Sequence, residues 1–251
     1  MKIKFLNLLL VGSIVSSVML SGCEKDEVVT PDPPGSSQEK GEFKDSRDGT
    51  TYKWIKIGEQ VWMAENLSYT GTDIKHITDD IEWTGSTNDN GWCYYENFTS
   101  NGNIHGVLYQ WEAAKTACPD GWHLPTRPEW IELMNYLEAN SYSYDGIKGN
   151  DGIAKSLATN SGWSASGVPG AVGNSDFTEY QNKSGFSALP SGLRGNSGSF
   201  YGLGIRATWW SATKSGNLNA YITDLSNVKA TVFYNATYGT TYGYSVRCVK
   251  D

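Results

Sequence analysis

The chain has few of the residues that most enzyme sites require. Among its 251 residues there are only three histidines and four cysteines. His76, His105 and His123 do not have metal-ligand spacing, and no Cys-x-x-Cys pair occurs. A Gly-x-Ser-x-Gly nucleophile elbow and a Walker-type phosphate loop are also missing. These absences predict a protein without catalytic residues, a metal site or a cofactor. A carboxylate pair for glycoside hydrolysis remains an alternative, because acidic residues are scattered along the chain.

Basic residues are in the minority. The chain has 20 Lys and Arg against 27 Asp and Glu, which gives a net charge of −7. Without residues 1–22, which contain two lysines and no acid, the balance is 18 against 27, or −9. This acidic surface argues against nucleic acid as a partner and against electrostatic adhesion to anionic lipid. Hydrophobic residues at 39% and aromatic residues at 13% are sufficient for a buried core.

The N-terminus lacks an apolar run long enough to span a membrane. Two lysines precede an apolar stretch at residues 5–20, which several polar residues interrupt. This stretch is shorter than the roughly 20 apolar residues that a membrane span needs. Leu20-Ser21-Gly22-Cys23 follows and resembles a bacterial lipobox. The resemblance implies that residues 1–22 are a lipoprotein signal peptide and that a lipid on Cys23 attaches the protein to a membrane. An ordinary secretory signal with an unmodified cysteine is the alternative.

Residues 23–42 are predicted to be the lipidated cysteine and a flexible tether. Glu24-Lys25-Asp26-Glu27 resembles the export signal of Bacteroidetes lipoproteins, which implies a lipid-anchored outer-membrane protein that faces the cell exterior. A charge run that only solvates the tether is the alternative. Residues 28–42 are rich in proline, serine, glycine and charged residues, and predict a semi-extended spacer. The folded domain is therefore expected to span residues 43–251.

Strand patterns at both ends of this domain and helix patterns in its middle predict an α+β fold. Residues 52–57 and 60–63 have the composition of two strands joined by a turn, and residues 70–104 are predicted to be mostly loop. A helix is predicted over residues 109–118, and a second begins at a Thr126-x-x-Glu129 capping box. A short third helix is predicted at residues 151–158. Four later strands are predicted at residues 208–212, 220–225, 229–234 and 244–249.

Six motif blocks occur in order along the chain. They are residues 57–67 (IGEQVWMAENL), 92–95 (WCYY), 118–126 (CPDGWHLPT) with Glu129-Trp130, 185–190 (GFSALP), 209–213 (WWSAT) and 245–249 (SVRCV). Together they resemble the major paralogous domain first described in Fibrobacter succinogenes, which is abundant in surface proteins of that group and of Bacteroidetes. The resemblance extends from about residue 45 to residue 251 and implies a surface protein, but it implies no particular activity.

A more distant resemblance concerns the fold. Trp111-x-x-Ala114-x-x-x-Cys118, followed by Gly121 and Leu124, is similar to the C-type lectin-like pattern. The resemblance implies two short helices packed on small antiparallel sheets with long loops. It also implies a disulfide between Cys118 and Cys248.

The calcium-binding residues of sugar-binding lectins are not matched. In the long loop, Leu189-Pro190-Ser191 has no carboxylate or amide beside the proline. Tyr238-Gly239-Thr240 stands before the last predicted strand, where oxygen ligands are expected. A lectin fold is therefore expected without the calcium-dependent chemistry.

The remaining cysteine and one histidine are predicted to be structural. Cys93 lies between Trp92 and Tyr94, a context that favours a buried, inert thiol over a nucleophile or a metal ligand. His123 lies between two apolar residues and is predicted to have a hydrogen-bonded structural role.

Aromatic residues in loop-like stretches are the candidates for ligand contacts. They are Trp83, Trp92, Trp163 and Tyr201, with core packing as the alternative for each. Long loops between residues 140 and 208 are predicted to form the ligand face. The predicted function is a surface-exposed lipoprotein with a non-catalytic binding or adhesion module for an unknown glycan or protein ligand. A glycan-active hydrolase and a structural envelope protein are the alternatives.

Overall fold

The computed structural model describes residues 38–85 and 90–251. The predicted signal peptide, the predicted lipidation site Cys23 and most of the predicted tether lie outside the described residues. Within the described ranges, no helix is long and apolar enough to cross a membrane.

Strands and helices alternate irregularly along the described residues. The strands are β1 (Lys40–Lys44), β2 (Thr51–Ile57), β3 (Gln60–Met63), β4 (Lys75–His76), β5 (Gly91–Cys93), β6 (Leu108–Tyr109), β7 (Trp122–His123), β8 (Ser191–Arg194), β9 (Phe200–Leu203), β10 (Arg206–Lys214), β11 (Asn219–Ser226), β12 (Phe233–Gly239) and β13 (Val249–Lys250). The helices are α1 (Asp80–Gly85), α2 (Thr99–His105), α3 (Trp111–Ala117), α4 (Arg127–Ala139) and α5 (Ala154–Leu157). This mixture confirms the predicted α+β class.

The strands form three sheets. Their orders are β1-β2-β3-β13-β7, β12-β11-β10-β8-β9 and β4-β5-β6. Most neighbouring strands are antiparallel, whereas the β10–β8 and β4–β5 pairs are parallel. The first and last described strands, β1 and β13, belong to the same sheet, with β2 and β3 between them.

The hairpin of β2 and β3 follows the predicted pattern. Ile57 pairs with Gln60 across a tight turn, as expected for an antiparallel hairpin. Gly58 in this turn has a φ of +62°, and a Cβ there would lie 2.9 Å from the Tyr136 ring. The turn therefore requires glycine both for its backbone conformation and for the close approach of α4.

The predicted boundary between tether and domain at residue 42 lies inside strand β1. Strand β1 begins at Lys40 and pairs with β2 over its whole length, from Lys40 opposite Ile55 to Lys44 opposite Thr51. The charged, glycine-containing sequence of β1 resembles a spacer because an edge strand needs few apolar residues.

Helix α4 begins as its sequence predicts. The Thr126 Oγ1 accepts the Glu129 backbone N–H, and the Glu129 side chain in turn accepts the Thr126 backbone N–H at 2.7 Å. This reciprocal capping satisfies donors that have no partner inside the helix. The apolar face of α4 is buried through Trp130, Leu133, Met134 and Leu137.

Several predicted elements are displaced. Residues 70–104, predicted as loop, contain α1, α2, β4 and β5. These elements have two to seven residues each, too few to produce a periodic pattern. Strand β12 begins four residues later than predicted. A strand is predicted over residues 244–249, but only Val249 belongs to β13. Residues before Val249 form isolated bridges instead, such as Tyr109–Tyr244 and Trp209–Ser245.

The core is rich in tryptophan. Trp62, Trp130 and Trp209 are fully buried, and their rings pack together with Phe186 at centroid distances of 4.7–6.1 Å. The predicted disulfide between Cys118 and Cys248 is confirmed. It joins the residue that ends α3 to the residue immediately before β13.

Candidate functional site

Two of the four predicted ligand-binding aromatic residues, Trp83 and Trp92, are buried in a helix and a strand, as the alternative of core packing predicts. Trp83 belongs to α1 and is fully buried, and its indole Nε1 donates to the Gly195 carbonyl at 3.1 Å. The guanidinium of the buried Arg194 lies 4.3 Å from the Trp83 ring centroid. Trp92 belongs to β5, is only 6% exposed and stacks on His76 at 4.0 Å. A ligand ring has no access to either face of Trp83 while these contacts hold.

The other two predicted aromatic residues, Trp163 and Tyr201, are at least partly exposed. Trp163 is half-buried against the core, and its Nε1 donates to the Ala188 carbonyl at 3.3 Å. Tyr201 on β9 is 52% exposed. Within the described residues, no ring contact joins any two of the four predicted aromatic residues.

The long loops after residue 140 are anchored from inside. Lys155 is fully buried, and its Nζ donates to the carbonyls of Asn174 and Asp176 and to the Asp176 Oδ1 at 2.5–2.9 Å. Although burial opposes ionisation of Asp176, hydrogen bonds from the Gly170 N–H and from Lys155 outweigh it and lower the pKa of that carboxyl. A buried ammonium thus fixes a segment that has little regular structure of its own.

A groove of about 750 Å³ opens between the β1–β2 edge and the loop at residues 182–187. Its volume is within the range of about 300–1,000 Å³ that is usual for small-ligand sites. We call it the Trp54 groove. It is lined by Gln38, Lys40, Gly41, Glu42, Lys53, Trp54, Ile55, Ala64, Asn182, Gly185 and Ser187.

The floor of the Trp54 groove is an indole that lies on a glycine. Gly41 pairs directly with Trp54 across β1 and β2, and a Cβ on Gly41 would lie 2.8–3.0 Å from three atoms of the Trp54 ring. Trp54 is half-buried, and within the described residues its Nε1 has no hydrogen-bond partner. A ligand in the groove therefore meets an aromatic surface with one free donor.

The wall opposite the strands is a preorganised loop. Asn182 and Ser187 have φ values of 53° and 59°, the left-handed region that side chains other than glycine seldom adopt. The Asn182 side chain stabilises the loop because it accepts the Ser187 N–H at 2.8 Å and donates to the Ser187 Oγ at 3.0 Å. Gly185 has a φ of +72°, and a Cβ there would lie 3.2 Å from Ile55 across the groove. This loop closes against β2 with little freedom to move.

A buried guanidinium lies behind this wall. Arg247 is fully buried and donates to the carbonyls of Phe186 and Ser187 and to the Asn66 Oδ1. Its Nε has no partner, and within the described residues no carboxylate lies within 4.0 Å of the guanidinium. Burial lowers the pKa of Arg247 to about 9, so the group remains charged at neutral pH.

Cys93 is confirmed as a buried thiol. It is fully buried on β5, and burial raises its pKa to about 12. Because the thiolate is the nucleophilic form, this cysteine is unreactive at neutral pH. Within the described ranges, no group of three or more His, Cys, Asp or Glu residues could hold a metal ion.

The hydrogen-bonded role predicted for His123 is confirmed. Its Nε2 lies 2.7 Å from the Glu129 Oε1, and its Nδ1 lies 2.6 Å from the Asp251 Oδ1. Burial alone would lower the pKa of His123, but the hydrogen bonds and charges of the two carboxylates outweigh it and raise the pKa. His123 therefore links β7, the start of α4 and Asp251.

We expect this link to make stability depend on pH. A raised folded-state pKa means that the contribution of His123 is complete below its unfolded value of 6.5 and is lost as pH rises through the folded value. Burial opposes ionisation of Glu129, but its hydrogen bonds to Thr126 and His123 lower its pKa from 4.5, so its contribution is lost as pH falls through the folded value. The stabilising effect of the pair is therefore largest between about pH 4.5 and 6.5.

Urea unfolding of the wild type and of His123→Gln from pH 4 to 9 measures this effect. The difference in unfolding free energy is expected to be largest near pH 5.5 and to decrease above pH 7. His76→Gln is the matched control, since His76 has no carboxylate within 4.0 Å among the described residues. A difference that stays constant across this pH range would contradict the prediction.

A comparison with protein families places these features in a wider group. The model of the Fibrobacter succinogenes major domain matches residues 55–250. The chain belongs to this family. The matched range of this major domain contains Trp62, Trp130, Trp209 and both disulfide cysteines, so the tryptophan core and the cross-link lie inside the family domain. No curated protein and no solved structure matches the chain.

The sequence pattern missed the Trp54 groove for a specific reason. Trp54 was part of a predicted strand, but its partner Gly41 was assigned to the tether, so the pairing that exposes the indole was not foreseen. β1 and Lys40 also lie outside the range matched by the major domain, which begins at residue 55. A tryptophan flanked by lysines in a strand, Lys53-Trp54-Ile55-Lys56, was the only sequence signal at this place.

Proposed function

We propose that the folded domain, which consists of the major domain together with β1 and β2, is a non-catalytic binding module that holds a glycan in the Trp54 groove. The observation that carries the proposal is the indole of Trp54, which is presented on Gly41 between polar side chains. The C–H groups on the face of a sugar ring pack well against an aromatic ring, and amide and ammonium groups then bind the hydroxyls. Gln38, Asn182 and Lys40 supply such groups around the indole.

The surface location belongs to the same proposal. The family is one of surface-associated domains. The lipobox-like sequence ending at Cys23 supports a lipid anchor on the outer membrane, and the acidic residues after it support exposure to the cell exterior. An anchored module that binds a glycan in the Trp54 groove would attach the cell to a polymer rather than process it.

A C-type lectin-like fold is part of the proposal as well. Three features support it: the α+β class, a disulfide from the end of α3 to the residue before β13, and the placement of β1 and β13 in one sheet. The long loops between α4 and β8 correspond to the loop region that this fold carries. The proposed site differs from a lectin site because it lies at the β1–β2 edge, and among the described residues no group of three or more His, Cys, Asp or Glu could hold a metal ion there.

The first experiment is a glycan array with a soluble chain that begins at residue 24 and keeps every described residue. We expect binding that a calcium chelator does not change. Trp54→Ala should weaken binding of the best glycan by about 30-fold, since a central aromatic contact contributes roughly 2 kcal/mol. Titration calorimetry measures the loss, and circular dichroism checks that the variant is folded.

Tyr201→Ala is the matched control for this experiment. Tyr201 is an exposed aromatic residue on β9 that does not line the Trp54 groove, so its replacement should leave the affinity unchanged. The opposite result, with loss on Tyr201→Ala and none on Trp54→Ala, would move the site to the loops predicted from the sequence. Absence of binding to any glycan would reject the proposal.

A further inference from the structure

From the free edge of β12 we infer that this strand is a docking surface for a second copy of the chain, which pairs with it antiparallel and extends the sheet across two subunits. The inference is independent of the proposed function, because β12 contributes no residue to the Trp54 groove. β12 is the outermost strand in the order β12-β11-β10-β8-β9, so within the described residues one of its two edges has no neighbouring strand.

The free edge presents backbone groups without partners. The Thr240 N–H donates to the Leu218 carbonyl at 2.9 Å, and hydrogen-bonded and non-hydrogen-bonded pairs alternate along an antiparallel ladder. Thr237, opposite Tyr221 and three residues before Thr240, is therefore in a non-hydrogen-bonded pair, and its N–H and C=O point away from β11. Among the described residues, no backbone group of another segment bonds to them. They are available to an incoming strand.

The sequence of β12 lacks the residues that usually protect an edge strand. Natural edge strands carry lysine or proline, or are covered by another element. Between Lys229 and Arg247 the chain has no charged residue and no proline. No residue of β12 is buried, and Phe233 and Tyr238 are 52% and 37% exposed. An exposed strand of this length and composition is suited to pairing with another extended strand.

The distribution of charge favours a second copy as the partner. The chain has a net charge of −7, so two copies repel each other through most of their surface. When a strand pairs with its own counterpart, each of its charges comes close to a like charge. β12 has no charged side chain, so here two copies can approach without this cost. The guanidinium of Arg127 donates to the Asn235 Oδ1 at 3.1 Å, but it lies over the Tyr221 ring of β11, one strand behind the edge.

The midpoint of β12 defines the register of this pairing. Ala236 is the central residue of Phe233–Gly239, so a two-fold axis beside Ala236 pairs the whole strand with its counterpart. Tyr238 then lies opposite Tyr234 of the partner subunit, which forms an aromatic cross-strand pair on one face of the extended sheet. On the other face Thr237 lies opposite Asn235 of the partner subunit. Because both subunits use the same strand, the assembly closes as a dimer rather than an open chain.

Sedimentation equilibrium of the soluble chain that begins at residue 24 tests this inference. We expect a reversible dimer at about 100 µM that dissociates on dilution to about 1 µM. Hydrogen exchange is measured at the same two concentrations. The amides of residues 233–239 should exchange more slowly in the dimer, because outward-facing groups such as the Thr237 N–H gain a partner.

Two lysine variants locate the interface. Thr237→Lys places an ammonium group on the free edge of each copy and should weaken dimerisation at least about tenfold. Tyr201→Lys adds the same charge to β9, the four-residue strand at the opposite end of the strand order, and should leave dimerisation unchanged. Circular dichroism checks that both variants are folded.

Three results would overturn the inference. The first is a chain that remains monomeric at about 100 µM. The second is a dimer that Tyr201→Lys weakens as much as Thr237→Lys, because added charge alone would then explain the effect. The third is a dimer in which residues 233–239 exchange as fast as in the monomer, because another face would then hold the two copies together.

Discussion

Loss of the disulfide is expected to lower the free energy of unfolding by about 5 kcal/mol when Cys118 and Cys248 are both replaced by serine. The cross-link joins residues 130 positions apart, so it removes much of the conformational freedom of the unfolded chain. Cys248 is fully buried, and its replacement also places a hydroxyl in the core. Such a loss is comparable to the whole stability of many domains, so the variant should be largely unfolded at 37 °C.

Urea unfolding followed by tryptophan fluorescence measures this effect. The experiment is done in a Cys93→Ala background, so that the remaining thiol cannot exchange with the disulfide. Cys93→Ala alone is the control and should cost much less, since it removes one small buried group and no covalent link. A decrease of less than 1 kcal/mol for the double serine variant would contradict the prediction.

The cross-link is also the element that the sequence predicted best. Its pairing came from the resemblance to a known pattern, because cysteine spacing alone does not determine connectivity. Capping signals were equally informative: Thr126 and Glu129 form the expected box, and α4 begins at Arg127, directly after Thr126. Capping signals are local, because the residues that form them are only three positions apart in the sequence. The β2–β3 hairpin at Gly58-Glu59 was predictable for the same reason.

Elements that depend on tertiary contacts were not predictable. β1 has no strand pattern of its own and is a strand only because β2 offers it a free edge. Trp83 appeared to belong to a loop, yet it is buried because Arg194 and the Gly195 carbonyl give its indole partners more than a hundred residues away. The Trp54 groove was not predictable either. Its floor depends on the pairing of Trp54 with Gly41, and its wall comes from residues 182–187.

The second large effect is expected in the tryptophan core, where Trp209→Ala should cost about 3–5 kcal/mol. Trp209 is fully buried on β10, with the ring of Trp130 at 6.1 Å and that of Phe186 at 5.6 Å. Its removal leaves a cavity that these rings cannot fill without leaving their rotamers. The indole Nε1 also donates to the Asn66 Oδ1 at 2.9 Å, an oxygen that Arg247 shares.

Trp209→Phe separates packing from hydrogen bonding. Phenylalanine retains much of the buried ring but not the donor, and the Asn66 Oδ1 keeps its bond from Arg247, so we expect a loss of only about 1–2 kcal/mol. Urea unfolding gives both values. Equal losses for the two variants would show that the indole donor, rather than the ring volume, stabilises this region. Because Arg247 contacts both this core and the wall of the Trp54 groove, Trp209→Ala should also weaken glycan binding, whereas Trp209→Phe should not.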